Sequence, residues 1–538
     1  MTKPGEPVTL RLEVENNGQK VSCRLSAELR DLSRVVASES RGVGLEPGRS
    51  CLEIQLRSPA IDGRGYEAML RLDFRDSSAV ARTAVLVASH WRVAPRYGFL
   101  SEFAPGESGV ERVRELSKFH VNVVQFYDWV YRHYRFLPPQ DEFVDAMGRS
   151  LSLTTVRARV DACHAAGMAA IAYGAVYGPE PEFVDQHPEW VLRDAKGDRL
   201  SLIDLFYITD IRPDAPWREH ILREFESALT GAGFDGIHMD QYGFPKWSYD
   251  AKGEAVDLAE HFPGLIDEAA QRVGTLREGA AVIFNAVNNW PIERVAGSDQ
   301  AAVYIEVWPS HERYRDLVEL VTRARYLSNK QVILAAYLEP FREECEGAEH
   351  SALLTTAVIA SAGGFHLLLG EGTGVLRDPY YANHGRMRPE FSRIMRRYYD
   401  HTAACHHYLF ADSLQNVAGS FASGVNEEIA LEGAPFSVGP ESGAIWLNVR
   451  QRGSQFVINL VNLAGAENSL WNVPKERPRR LEDLTLLLSN HFDLEKVVWS
   501  SPDDGEAARE LAISKGERGS AIALPGLDYW ATVVIEVK

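Results

Sequence analysis

Residues 217–243 read WREHILREFESALTGAGFDGIHMDQYG. Trp217, Ile221, Leu222 and Phe225 recur at helical spacing, and the pattern stops at Gly233, the residue type that closes helices in the left-handed conformation. FDGIHMDQY (234–242) then reads as a strand. On that strand His238 and Asp240 share one face, and Ile237 and Met239 share the other. A helix therefore leads straight into an apolar strand that ends in a carboxylate.

The same unit recurs on both sides. Strand-length apolar runs occur at 96–103, 121–128, 168–177, 234–242, 281–288, 302–308, 331–339 and 364–372. Helical patterns such as ERVRELSKF (111–119), TTVRARVDACHAAG (154–167) and LIDEAAQRV (265–273) lie between them. Eight near-continuous apolar strands alternating with helices predict a (β/α)8 TIM barrel. An open doubly wound sheet would carry a Gly-rich turn after its first strand, and this sequence has none.

The flanks change character. VTLRLEVEN (8–16), SCLEIQL (50–56), YEAMLRLDF (66–74) and TAVLVAS (83–89) alternate with period 2, which predicts an immunoglobulin-like β-sandwich. AIWLNVRQ (444–451), SQFVINLVNL (454–463), LTLLLSN (484–490) and YWATVVIEV (529–537) predict a second, C-terminal β-sandwich. The expected layout is multidomain: 1–93 sandwich, 94–410 barrel, 411–538 sandwich.

Composition bounds the partners. The 538 residues carry 57 basic and 75 acidic side chains, a formal charge of −18. Such a surface repels nucleic acid and anionic lipid, so neither is an expected partner. No stretch approaches the ~18 uncharged apolar residues of a membrane-spanning helix. The five cysteines form no disulfide framework, and unpaired thiols are favoured over a Cys23–Cys51 bridge. The N-terminus, MTKPGEPVTL, has no apolar signal core, so the expectation is a cytoplasmic protein, or a secreted one whose signal has been removed. The oligomeric state is not legible.

A barrel of this kind works at the C-terminal ends of its strands. The residues there are rich in carboxylates, carboxamides and aromatic rings. In VYIEVW (303–308), Val303, Ile305 and Val307 face one way; Tyr304, Glu306 and Trp308 face the other, into the barrel. A glutamate inside a strand among aromatic rings is costly to bury and has a raised pKa, which suits a general acid. The competing reading is a structural Glu paired to an Arg. For Asp240 it is a helix cap or a loop salt bridge.

Two carboxylates on neighbouring strands, surrounded by aromatics, suggest glycoside cleavage. Candidate sugar contacts at the strand ends are Asp128, Tyr131, Arg132, His133, Tyr173, His238, Gln241, Asn285, Asn288, Trp308, Tyr337 and Glu371. GEGTG (370–374) is a poor phosphate cradle because Glu371 would repel the phosphate. Cys405-His406-His407 has poor spacing for a metal. Neither G-x-S-x-G nor H-E-x-x-H occurs. No cofactor and no metal is expected.

The segments RYGFLSEF, VNVVQFYDWVYRHYRFLP, GFDGIHMDQYG, FNAVNNWP, VYIEVW, LAAYLEP and HLLLGEG, spanning 96–372, resemble glycoside hydrolase family 66, the dextranases and cycloisomaltooligosaccharide glucanotransferases. The resemblance implies a retaining double displacement, with Asp240 as nucleophile and Glu306 as acid/base. It also implies an α-1,6-linked glucan, dextran or isomaltooligosaccharide, as substrate. The cyclising members are longer, with a carbohydrate-binding module after the seventh barrel strand. Here only residues 341–363 separate LAAYLEP from the eighth strand, so endo-hydrolysis is expected ahead of glucanotransfer, the alternative on the same substrates. From a different class, the alternative is a non-catalytic glycan-binding protein.

Overall fold

The computed structural model describes residues 1–372, 374–380, 383–424, 426–517 and 519–538. Thr373, within the GEGTG run, lies outside the described residues. The chain divides into two compact units. One comprises Pro95–Cys345 and Gly364–Met387, the other Met1–Ala94, Glu346–Gly363 and Arg388–Lys538.

The first unit holds one parallel sheet of eight strands in chain order. They are β1 (Tyr97–Leu100), β2 (Val123–Phe126), β3 (Ala169–Ala175), β4 (Gly236–Asp240), β5 (Ala281–Val287), β6 (Val303–Glu306), β7 (Val332–Ala335) and β8 (Phe365–His366). This is the expected TIM barrel. Its strands are buried along almost their whole length, which is why they read as unbroken apolar runs. Gly236 marks a close approach: a Cβ there would sit 2.0 Å from the carbonyl oxygen of Ala281 on the next strand.

The helix predicted from the opening stretch runs from Pro216 to Ser227. Ala228–Ala232 continue it as a π-helical turn, and Gly233 ends it at φ 89°. Trp217, Ile221, Leu222 and Phe225 are its buried stripe. Asp235, at the opposite end of β4 from Asp240, is held by His164, Arg277 and the backbone nitrogen of Ala170, which brace the barrel floor.

β8 and β1 close the sheet mainly through side chains. The Arg96 guanidinium lies 6.0 Å from the Phe365 ring centroid. At the other end, Glu371 Oε1 accepts from the backbone nitrogens of Ser101 and Glu102 at 3.1 and 2.8 Å. Arg112 and the fully buried Arg159 each donate to the same carboxylate at 2.8 Å.

In the second unit, Pro7–Asn16 pairs antiparallel with Gly48–Arg57. Arg34–Leu45, Val21–Asp31, Arg64–Asp73 and Ser78–Val87 form a facing four-stranded sheet. Alternate residues of both, including Val8, Leu10, Leu25, Leu29, Ile54 and Leu70, make the core. Arg34–Leu45 is an edge strand with little burial on either face, so it carries no readable period. Cys23 and Cys51 lie on different sheets, and all five cysteines are free. A seven-stranded and a four-stranded sheet form the C-terminal β layers, joined by a core that includes Leu447, Ile458, Val533, Leu486 and Ile522. The helix Glu346–Ala362 belongs to this unit and is buried nearly all round; its Ser351 hydroxyl donates to the Trp471 carbonyl at 2.8 Å.

Candidate active site

A cavity of about 880 Å³ opens at the C-terminal ends of the barrel strands. Strand alternation delivers its floor. His238 and Asp240 from β4, Asn285 from β5, and Tyr304 and Glu306 from β6 all line it, with Trp308 and Tyr337 following their strands.

Two carboxylates meet there across one amide. Asn285 Nδ2 donates to Asp240 Oδ1 at 2.7 Å and to Glu306 Oε2 at 3.1 Å. The Tyr173 hydroxyl donates to Asp240 Oδ2 at 3.0 Å. Trp308 and Tyr337 line the cavity with Glu306 and favour its charged form. Burial raises the pKa of both carboxyls, and the charge of Glu306 raises Asp240 further. Two carboxyls bridged by one donor titrate as a coupled pair. Glu306 is the more enclosed, at 8% exposure, while Asp240 is half-buried and has two donors aimed at it. Two carboxyls of raised proton affinity stand side by side, an arrangement from which a nucleophile and an acid can be drawn. Among the described residues no arginine pairs with Glu306, so the structural-pair reading gains no support.

His238 is buried and neutral: burial lowers it to about 3, and its Nδ1 meets the Tyr97 hydroxyl at 3.0 Å. It packs edge-on against Tyr304 with centroids 4.7 Å apart. His133 is likewise lowered by burial, to about 4, and stacks on Phe206 at 4.4 Å. Its Nε2 lies 3.9 Å from Asp128 Oδ1, and Asp128 lines the cavity from a left-handed turn at φ 47°.

Two predicted contacts line the cavity but have their hydrogen-bonding groups engaged within the protein. Gln241 donates to the carbonyls of Asn285 and Trp290 at 3.1 and 3.2 Å and accepts from Gly243 N at 2.6 Å. Asn288 donates to the Pro309 carbonyl at 2.9 Å, and its Oδ1 meets His311 Nδ1 at 2.8 Å. They shape the loops after β4 and β5.

Three predicted contacts are not brought to the cavity. Tyr131 packs against Phe143 and carries Arg132 over its ring at 4.3 Å. Arg132 donates to Glu182 at 3.0 Å and to the Val144 carbonyl at 2.9 Å. Glu371 is engaged in the β8–β1 closure described above and does not line the cavity. Its arginine partners come from the helices after β1 and β2 and are invisible from the end of strand 8.

Other cavity residues escaped the sequence reading. Gln125 is a lone polar residue on an otherwise apolar β2, which was an available signal. Leu202 and Phe206 come from two short strands at 201–207, where no period can be read. Lys246 reaches the cavity with its ammonium 3.7 Å from the Trp290 ring centroid.

A TIM barrel whose cleft holds paired carboxylates among aromatics defines a glycosidase-type enzyme. The chain belongs to glycosyl hydrolase family 66, whose model matches residues 1–534. Two curated relatives are cycloisomaltooligosaccharide glucanotransferases of Niallia circulans. One is 23% identical over 696 aligned positions, covering 99% of this chain and 70% of the relative. The other is 27% identical over 395, covering 68% of this chain and 40% of the relative. Among solved structures, a cycloisomaltooligosaccharide glucanotransferase of Paenibacillus sp., complexed with cycloisomaltoheptaose, matches with a TM-score of 0.90 at 20% identity, covering 99% of this chain and 98% of that one. The maltogenic α-amylase AmyB of Thermotoga neapolitana matches at 0.52 and 10% identity, over 83% and 99%. At these identities the likeness to solved structures is one of fold.

Proposed function

We propose that this chain is a retaining enzyme on α-1,6-linked glucan that transfers glucosyl units between isomaltooligosaccharides, with water as the competing acceptor. Asp240 attacks the anomeric carbon as Glu306 protonates the departing oxygen, leaving a glycosyl ester on Asp240. Glu306 then takes the proton of the incoming hydroxyl as the ester opens.

The observation that carries the retaining reading is the shared donor. Two hydrogen bonds from one Asn285 nitrogen keep the nearest carboxylate oxygens closer than the roughly 6.5–9.5 Å an inverting pair needs to admit water. The glucanotransferase names of the relatives support transfer over the hydrolysis expected from the sequence. The short 341–363 connection favours endo-hydrolysis of dextran as the second reading. In the three-domain reading, 1–93, 94–410 and 411–538, the central segment carries the chemistry.

The test is to incubate the chain with dextran and with isomaltooligosaccharides, follow the first-formed anomer by NMR, and separate products by chromatography. Retained α-products, elongated or cyclic, support the proposal. Linear fragments alone shift it to the dextranase. A first-formed β-anomer overturns the retaining mechanism.

A further inference from the structure

Among the described residues, three exposed large apolar side chains line the cavity: Met147, Ile203 and Tyr380. Tyr380 is the aromatic one, 57% exposed. It belongs to the segment after the short strand Gly374–Leu376, which is pinned on both sides. Leu376 N donates to the Leu368 carbonyl at 2.9 Å, and Leu338 N donates to the Leu376 carbonyl at 3.0 Å. Asp378 Oδ1 accepts from Tyr380 N at 2.9 Å and from Asn383 Nδ2 at 3.0 Å. The ring is thus presented at the mouth by the Asp378–Tyr380 turn that follows the pinned strand. The segment hangs on Leu338, which follows β7 where Ala335 pairs in register with Glu306, and this places it on the acid/base side of the cavity.

That side decides the second half-reaction. The glycosyl ester opens when an acceptor O–H loses its proton to Glu306, its oxygen bonds to the anomeric carbon, and the ester C–O electron pair returns to Asp240. Water and a sugar hydroxyl both satisfy this balance, and both must approach Glu306. A pyranose has an apolar face that an exposed ring binds by stacking; water has none.

We infer that Tyr380 is the platform on which the acceptor sugar stacks, and that it sets the partition of the glycosyl ester between transfer and hydrolysis. The inference rests on the proposed function.

The experiment supplies the full-length chain with isomaltopentaose and measures new glycosidic products against reducing ends released, with isomaltose added as a graded acceptor. Tyr380→Ala lowers the transfer-to-hydrolysis ratio by roughly three- to tenfold and raises the isomaltose concentration that half-saturates transfer. Tyr380→Phe and Tyr380→Trp keep both near wild type. A ratio unchanged in Tyr380→Ala overturns the inference alone, as does a Tyr380→Phe that falls as far as Tyr380→Ala. No turnover by the wild-type chain overturns the functional reading and this inference with it.

Discussion

Asp240 and Glu306 share one hydrogen-bond donor, the side-chain nitrogen of Asn285. The amide does two things at once: it spaces the carboxyls and damps their repulsion. Replacing it by Asn285→Ala is expected to lower kcat/KM by roughly 10²–10³-fold, the cost of one well-placed donor in a closed site. A donor to a carboxylate favours its ionised form, so losing it raises the pair's proton affinity. The acidic limb of the pH–rate profile should therefore move to higher pH. A rise in KM with an unmoved profile would reduce Asn285 to a substrate contact.

The two carboxylates differ in what a small anion can replace. Asp240→Ala and Glu306→Ala should each cost roughly 10⁴-fold or more. With an activated aryl α-glycoside and azide, Asp240→Ala should give the β-glycosyl azide, because azide enters directly from the side the nucleophile vacated. Glu306→Ala should give the α-glycosyl azide, because azide opens an ester already formed on Asp240. The opposite stereochemistry would exchange the two roles.

The inward face of the sixth strand was readable because strand geometry has only two sides. Once Val303, Ile305 and Val307 faced out, Tyr304, Glu306 and Trp308 had to line the cavity, and they do. The same logic placed His238 and Asp240. It could not reach Phe206 and Leu202, which stand on two-residue strands too short for a period. Nor could it separate Asn288 and Gln241, engaged within the protein, from residues with free hydrogen-bonding capacity. The sheets of the flanking unit were legible only where one face is buried, which is why Arg34–Leu45 went unread.

Glu371 separates a strand-end residue from a sugar contact. It is the counter-charge of Arg159, whose side chain is fully buried, and it bridges the exits of β8 and β1. Glu371→Ala should lower stability by about 3–5 kcal/mol, the cost of leaving a buried charge unpaired. Urea unfolding would measure it. The folded fraction should keep a near-normal KM. A raised KM at unchanged stability would restore Glu371 to the sugar-binding set.

The buried histidines give the barrel unit an acid-sensitive component. Burial lowers His133 to about 4 and His238 to about 3, whereas an unfolded histidine titrates near 6.5. Between those values the unfolded chain binds more protons, so stability from each is fully present above about 6.5 and is lost as pH falls towards the folded value. At pH 4.5 each should have forfeited about 2–3 kcal/mol. Glu180, which burial raises to about 7, works in the opposite direction, as does the raised carboxylate pair. The informative quantity is therefore the difference between variant and wild type. Urea midpoints of His238→Gln and His133→Gln should fall less between pH 6.5 and 4.5 than those of the wild type. Equal falls would mean that these rings are solvated, and protonate, in the folded barrel.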